Sequence, residues 1–320
     1  MSQLNVSNIQ HETGAGSNIT LDPSGNVVCA ADVQMASQNG GPLAGLRNKL
    51  INGDFRIWQK GGGGFTGQGY TADQWFLGSG ADVTVNRFDV AGNSGLAYGM
   101  QIVSTATVYI QQPIELTVTG KPNPFTPGDT YTLSFEANTG GGTSDVAVRY
   151  GFANTGNFSG TPGVTTTPTQ TVNNAGGTFS YEVTIPNNCA AANNCFIVGL
   201  QATPNADLRI YNIQLERGPI RTTFEYRPIS LEQTLCERYY QLLPRLSLSP
   251  VTTNATNARA ASLSFRTTMR TTPTFTADQE VRVTSVTTSN FNNFGLTVEG
   301  QATEVDASSY IRNLQFDAEL

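Results

Sequence analysis

TYTLSFEANTGGGTSDVAVRYGFA, residues Thr130 to Ala153, is the stretch whose reading decides the fold. Tyr131, Leu133, Phe135 and Ala137 alternate with polar residues, and after the Gly140–Gly142 turn Val146, Val148, Tyr150 and Phe152 alternate with small or polar ones. A period of two puts successive side chains on opposite faces, so each run is a strand with one apolar face, and the glycines turn the chain back antiparallel. The same pattern extends outward in both directions. Leu96, Tyr98, Met100 and Ile102 precede it; Phe179, Tyr181, Val183 and Ile185 follow, then Phe196, Val198 and Leu200. In ADLRIYNIQLE, Leu208 and Ile210 fall on one side and Tyr211, Ile213 and Leu215 on the other. Helical periodicity is missing here, which excludes alternating strand–helix units. About eight to ten strands over residues 47–228 predict a mainly β protein built on an antiparallel jelly-roll sandwich. Thr161 to Thr171 reads as a long surface connection.

Beyond this domain, residues 229–243 predict one short connecting helix. Ser230 and Gln233 have capping-box spacing, Leu231, Leu235, Tyr239 and Leu242 form a stripe, and Pro244 supplies a stop. Residues 244–320 return to alternation in ASLSF, TPTFTA, EVRVTSV, FGLTVE and SSYIRNLQFDAEL, a smaller C-terminal β-domain. Residues 1–46 are polar and sparse in apolar side chains. LDPSGNVV reads as two short strands around a Pro23–Asn26 turn, and Ser37 to Gly45 as a linker. So little apolar surface cannot close a core alone, which makes this an extended attachment or oligomerisation segment.

Composition limits the function. Only 13% of the 320 residues are charged and the net charge is −6, against about 25% charged residues in an ordinary domain. Thr, Asn, Gly and Ser take their place, giving a neutral hydrogen-bonding surface suited to packed β-assemblies and to sugars. Phosphate-tracking partners need clustered Lys and Arg, so nucleic acid is not expected. The N-terminus carries no secretory signature and no apolar run is long enough to span a bilayer, so neither export nor membrane insertion is expected.

Catalytic constellations are few. His11 is the sole histidine, which removes Ser–His–Asp, Cys–His and His-based metal chemistry within one chain. No motif singles out a carboxylate pair of glycosidase type. Gly62, Gly64 and Gly67 match a dinucleotide fingerprint formally, but no helical pattern follows, so the segment reads as a loop. Cys189 and Cys195 leave a hairpin disulfide or two thiols open, and Asp54 and Glu216, near the two ends of the jelly roll, leave a shared Ca²⁺ open. No catalytic residue, resident metal or cofactor is expected. For glycan contact the candidates are Trp58, Tyr70, Tyr109 and Tyr150, aromatic rings beside glycine loops or polar strand neighbours; Trp75 reads as core.

NKLINGDFRIWQKG (Asn48–Gly61) with YTADQWFL (Tyr70–Leu77) resembles the opening of an adhesion domain of phage tail-fibre and related virion proteins. Pro113–Gly140 is similar to the central strands of jelly-roll carbohydrate-binding modules. Arg209–Gln241 resembles the exit strand and following helix of that adhesion domain. MRTTPTF and FDAEL resemble the small closing domain of such fibres, and MSQLNVSNIQ through LDPSGNVV the attachment segments of cyanophage fibres. The resemblance implies a homotrimer on a virion, assembled in the host cytoplasm, bound to other tail or adaptor proteins through residues 1–46 and contacting host-surface glycan. It supplies no ligand residues. A passive head fibre, decoration or tail adaptor is the alternative, with a polysaccharide depolymerase behind it.

Overall fold

A computed structural model describes residues 46–78, 82–89, 98–116, 124–154, 163–189, 193–248, 258–277, 279–281, 283–302 and 309–319, and strands at 8–9, 19–21 and 27–29. His11, the Pro23–Asn26 turn and the Ser37–Gly45 linker lie outside the described residues. The chain divides into two units, Met1–Gly45 and Leu46–Leu320. In the first, β1 (Asn8–Ile9), β2 (Ile19–Leu21) and β3 (Val27–Cys29) form an antiparallel three-stranded sheet.

The second unit begins with the jelly roll. Its strands are β4 (Phe65–Thr66), β5 (Gly69–Tyr70), β6 (Phe76–Leu77), β7 (Val83–Asp89), β8 (Tyr98–Ser104), β9 (Val108–Glu115), β10 (Thr130–Thr139), β11 (Ser144–Ala153), β12 (Thr165–Thr166), β13 (Gln170–Val172), β14 (Gly177–Thr184), β15 (Cys195–Ala202) and β16 (Leu208–Arg217). One sheet runs β14-β10-β16-β8-β7-β4; the other runs β12-β11-β15-β9-β6-β5, with β13 also on β11. From β8 to β11, and again from β14 to β16, each strand lies in the sheet opposite its predecessor, which is jelly-roll connectivity. The alternating apolar residues meet between the sheets: Val85, Met100, Leu133 and Phe135 face Ile110, Val148, Phe152, Phe196 and Val198. Fully burying such a side chain contributes about 1.5–3 kcal/mol. Trp75 is fully buried in this core.

The segment Asn48–Gly61 explains its own unusual composition: it is a buried hydrogen-bonded corner. Asn52 bonds both the N–H and C=O of Ile57, at 3.0 and 2.8 Å, and donates to the Asp73 carbonyl at 3.1 Å. Asn48 Oδ1 accepts from Leu50 and Leu215, each at 3.0 Å. Gly53 is obligatory, because a Cβ there would lie 2.2 Å from the Ile213 carbonyl oxygen. Arg227 donates to the Leu50 carbonyl at 2.9 Å and pairs with Glu232 at 3.2 Å, tying the corner to the helix.

That helix, α1 (Ile229–Glu237), is shorter than 229–243. Tyr239 lies in the following turn, and Leu242 and Pro244 sit in strand β17 (Tyr240–Leu248). The capping box is not formed: Pro228 precedes the first turn, with its carbonyl accepting from Leu231 at 3.0 Å. The leucine stripe is not the buried face either, since Leu231 is 37% exposed while Glu232, Cys236 and Glu237 are buried. Ladder bonds to the last strand outcompete helical extension, and Pro244 is tolerated because β17 is a sheet edge.

The remaining strands are β18 (Ala258–Ser264), β19 (Thr274–Thr276), β20 (Gln279–Val281), β21 (Val283–Ser289), β22 (Gly295–Ala302) and β23 (Ser309–Asp317). A sheet ordered β17-β23-β19, with β20 also on β23, accompanies a sheet β18-β22-β21. Their small core holds Met269, Val298, Ile311, Leu314 and Phe316. Lys60 clamps the C-terminal strand to the jelly roll through Asp317 at 3.1 Å and Glu319 at 2.5 Å.

Candidate functional site: the outer face of the seven-stranded sheet

Strand parity builds this face. Because Ile110, Val148, Phe196 and Val198 point into the core, Tyr109, Gln111, Arg149, Gly199 and Gln201 point outward. The ladder register aligns them. Tyr70 pairs with Phe76, Phe76 with Gln111, Gln111 with Gly199, and Gly199 with Arg149. Alongside this row, Tyr109 pairs with Gln201 and Gln201 with Ala147.

Contacts hold the rings in place. Tyr70 meets Phe76 edge-on at 5.2 Å between centroids. The Arg149 guanidinium lies 4.5 Å from the Tyr109 ring centre, and Lys60 Nζ lies 5.2 Å from that of Tyr70. Gly199 leaves the floor low, since a Cβ there would come within 2.5 Å of the Gln111 Cβ. Gln111 is 2% exposed, so its amide is buried in the sheet, and of the two glutamines only Gln201 offers an amide on the open face. Tyr70, Phe76, Tyr109, Arg149 and Gln201 are all partly exposed. The face also meets the junction with the C-terminal domain: Lys60, beside Tyr70, pairs with Asp317 and Glu319, and Arg238 and Tyr239 bind Glu115 at 3.0 and 3.3 Å.

The four sequence candidates therefore separate. Tyr70 and Tyr109 share this face. Tyr150 does not: it is 6% exposed and packs in the core beside Phe196. Its parity is that of Val146, Val148 and Phe152, so the alternation that marks the strand also turns this ring inward. Trp58 lies elsewhere, against Phe65 at 6.0 Å between ring centres, with its indole N–H donated to the Phe55 carbonyl at 2.6 Å. Phe76, Gln111, Arg149 and Gln201 were missed by the sequence reading. Their signal was parity opposite to the apolar runs, together with the pairing register, which no single strand reveals.

The remaining polar candidates engage protein groups. Asp54 pairs with Arg56. Glu216 accepts from the Thr222 N–H and hydroxyl, both at 2.7 Å, and from Gln214 at 2.9 Å. Cys195 Sγ lies 3.4 Å from the Ala153 carbonyl, its thiol pushed up to about 12 by burial, whereas Cys189 is exposed. Gly62, Gly64 and Gly67 lie in a loop around β4 with no helix after it. Among the described residues, no group of three or more His, Cys, Asp or Glu side chains is placed to hold a metal ion.

Partly exposed aromatic rings beside the Gln201 amide and the Arg149 guanidinium match the two sides of a pyranose. Apolar C–H faces stack on rings, while hydroxyls exchange hydrogen bonds with amides.

No protein-family model matches this sequence, and no curated protein does. Among solved structures, the enzymatically active domain of tailspike protein 4 of bacteriophage CBA120 aligns at 17% identity and a TM-score of 0.36, over 53% of this chain and 21% of that one. The CBM22-1 xylan-binding domain of Paenibacillus barcinonensis Xyn10C aligns at 11% identity and 0.37, over 58% of this chain and 100% of that one. The CBM22-1–GH10 modules of Clostridium thermocellum xylanase 10B align at 14% and 0.37, over 54% and 29%. This chain thus spans about a fifth of the tailspike domain and under a third of the xylanase modules.

Proposed function

We propose that the chain is a non-catalytic adhesion subunit of a phage virion that contacts neutral host-surface glycan through the outer face of its seven-stranded sheet, and that it works as a homotrimer. The observation that carries the glycan reading is the set of partly exposed rings Tyr70, Phe76 and Tyr109 on one sheet face with Gln201. The phage assignment rests on the sequence resemblance of Asn48–Gly61 and Arg209–Gln241.

Apolar exposure supports assembly. Leu46, Ile220, Tyr226, Ile229 and Leu231 are 51%, 66%, 54%, 51% and 37% exposed. Arg47 donates to the Thr223 carbonyl and Asn48 N–H to Glu225, which brings Leu46 beside the strap that carries the other four. Several exposed apolar side chains on one short strap suit an interface between copies or with another virion protein. The same patch favours the passive structural role as the second reading.

Each glycan contact should be weak, about millimolar or −4 kcal/mol, and three copies raise it through effective concentration. A glycan array with the full chain tests the reading. Neutral oligosaccharides should bind, and Tyr70→Ala with Tyr109→Ala should abolish the signal. An array with no hits, or hits unchanged in the double variant, moves the protein to the passive role.

A further inference from the structure

The outer face of the C-terminal four-stranded sheet carries a second, chemically different constellation. Arg245 of β17 and Arg312 of β23 are direct cross-strand partners, and Ser247 pairs with Tyr310 in the neighbouring position. Leu246 and Ile311, between them, point into the small core, so Arg245, Ser247, Tyr310 and Arg312 share the outward side.

Like charges placed opposite one another weaken a sheet. Here they converge on one ring: the Arg245 guanidinium carbon lies 3.9 Å from the Tyr310 ring centre and that of Arg312 lies 5.0 Å away. Arg312 Nη2 also donates to the Tyr310 hydroxyl oxygen at 3.0 Å. A phenol that accepts a bond still has its own proton to give. Arg245 and Arg312 are exposed, as is Ser247, and Tyr310 is partly so. Among the described residues Arg245 has no carboxylate within ion-pair distance. Two guanidinium groups, a phenol and a serine thus share one outward patch, on a chain whose net charge is −6.

We infer that Arg245, Arg312, Tyr310 and Ser247 form an anion-binding site that takes the carboxylate groups of an acidic, uronate-bearing polysaccharide. The planar fork of arginine matches a carboxylate bidentately, and opposed forks suit carboxylates repeated along a polymer. Such a site is independent of the aromatic face on the jelly roll and differs from it in one measurable respect. Neutral stacking is insensitive to salt, whereas ion pairing on an exposed face is screened.

The test is titration calorimetry of the full chain with oligogalacturonate and with its methyl ester, which keeps the shape and removes the charge. The acid should bind at least about tenfold more tightly than the ester, corresponding to about 1.4 kcal/mol. Raising salt from about 50 to about 500 mM should remove most of that difference. Arg245→Gln with Arg312→Gln should abolish it without lowering the melting temperature, because the variant relieves a repulsion. Arg245→Lys with Arg312→Lys should restore it only in part, and Tyr70→Ala with Tyr109→Ala should leave it intact. Equal binding of acid and ester, an unchanged glutamine variant, or tighter binding of double-stranded DNA than of the uronate would overturn the assignment.

Discussion

Tyr239 links the jelly roll to the C-terminal domain, and its replacement gives a graded prediction. The residue is 6% exposed. A buried tyrosine removes about 150–250 Å² from water, which at about 25 cal/mol per Å² is about 4–6 kcal/mol. Residual burial in the unfolded chain lowers this, so Tyr239→Ala should cost about 3–5 kcal/mol. Tyr239→Phe isolates the hydroxyl, whose bond to Glu115 is long at 3.3 Å. Glu115 would keep the Arg238 fork at 3.0–3.2 Å, so the phenylalanine variant should lose only about 0.5–1 kcal/mol. Urea unfolding followed by tryptophan fluorescence reads the jelly-roll transition through Trp58 and Trp75. An alanine cost below about 1 kcal/mol, or a phenylalanine cost equal to that of alanine, would refute the packing argument.

Burial raises the Asp73 carboxyl from 3.8 to about 6, opposed by bonds from Gln59. A raised folded value means that this stabilising contribution is full below 3.8 and is lost as pH rises through about 6. Between about pH 4.5 and 7.5 the wild type should therefore lose about 2 kcal/mol relative to Asp73→Asn, measured by denaturant midpoints at the two pH values. Equal pH slopes would remove desolvation of Asp73 as the cause. In sedimentation, the full chain should run as a trimer at micromolar concentration, and Ile220→Asp with Leu231→Asp should shift it toward monomer. A wild-type monomer would leave the exposed strap without its proposed partner.

The jelly roll was legible because its strands obey a period of two over many residues, with Gly, Pro and Asn marking the turns. The strand at Tyr240–Leu248 was not, because Leu235, Tyr239 and Leu242 mimic helical spacing by coincidence and only pairing with Ser309–Asp317 reveals the ladder. The buried corner at Asn48–Gly61 was visible as a signature, but its cause was hidden: its partners Ile213, Leu215 and Arg227 are far away in sequence. In the candidate site, Tyr70 and Tyr109 were visible as rings in polar surroundings, while Tyr150 was misplaced although its own alternation with Val146, Val148 and Phe152 turns it inward. Phe76, Gln111, Arg149 and Gln201 become a set only through cross-strand register, a non-local property. The Arg245–Arg312 pairing is of the same kind.

The most direct test of the central claim is a crystal structure of the chain with the tightest neutral oligosaccharide from the array. The expected result is a pyranose ring stacked on Tyr109, within reach of the Gln201 amide, with Tyr70 and Phe76 at its edge. A sugar seated on the six-stranded sheet, or lodged only between copies at the Ile220–Leu231 strap, would contradict it.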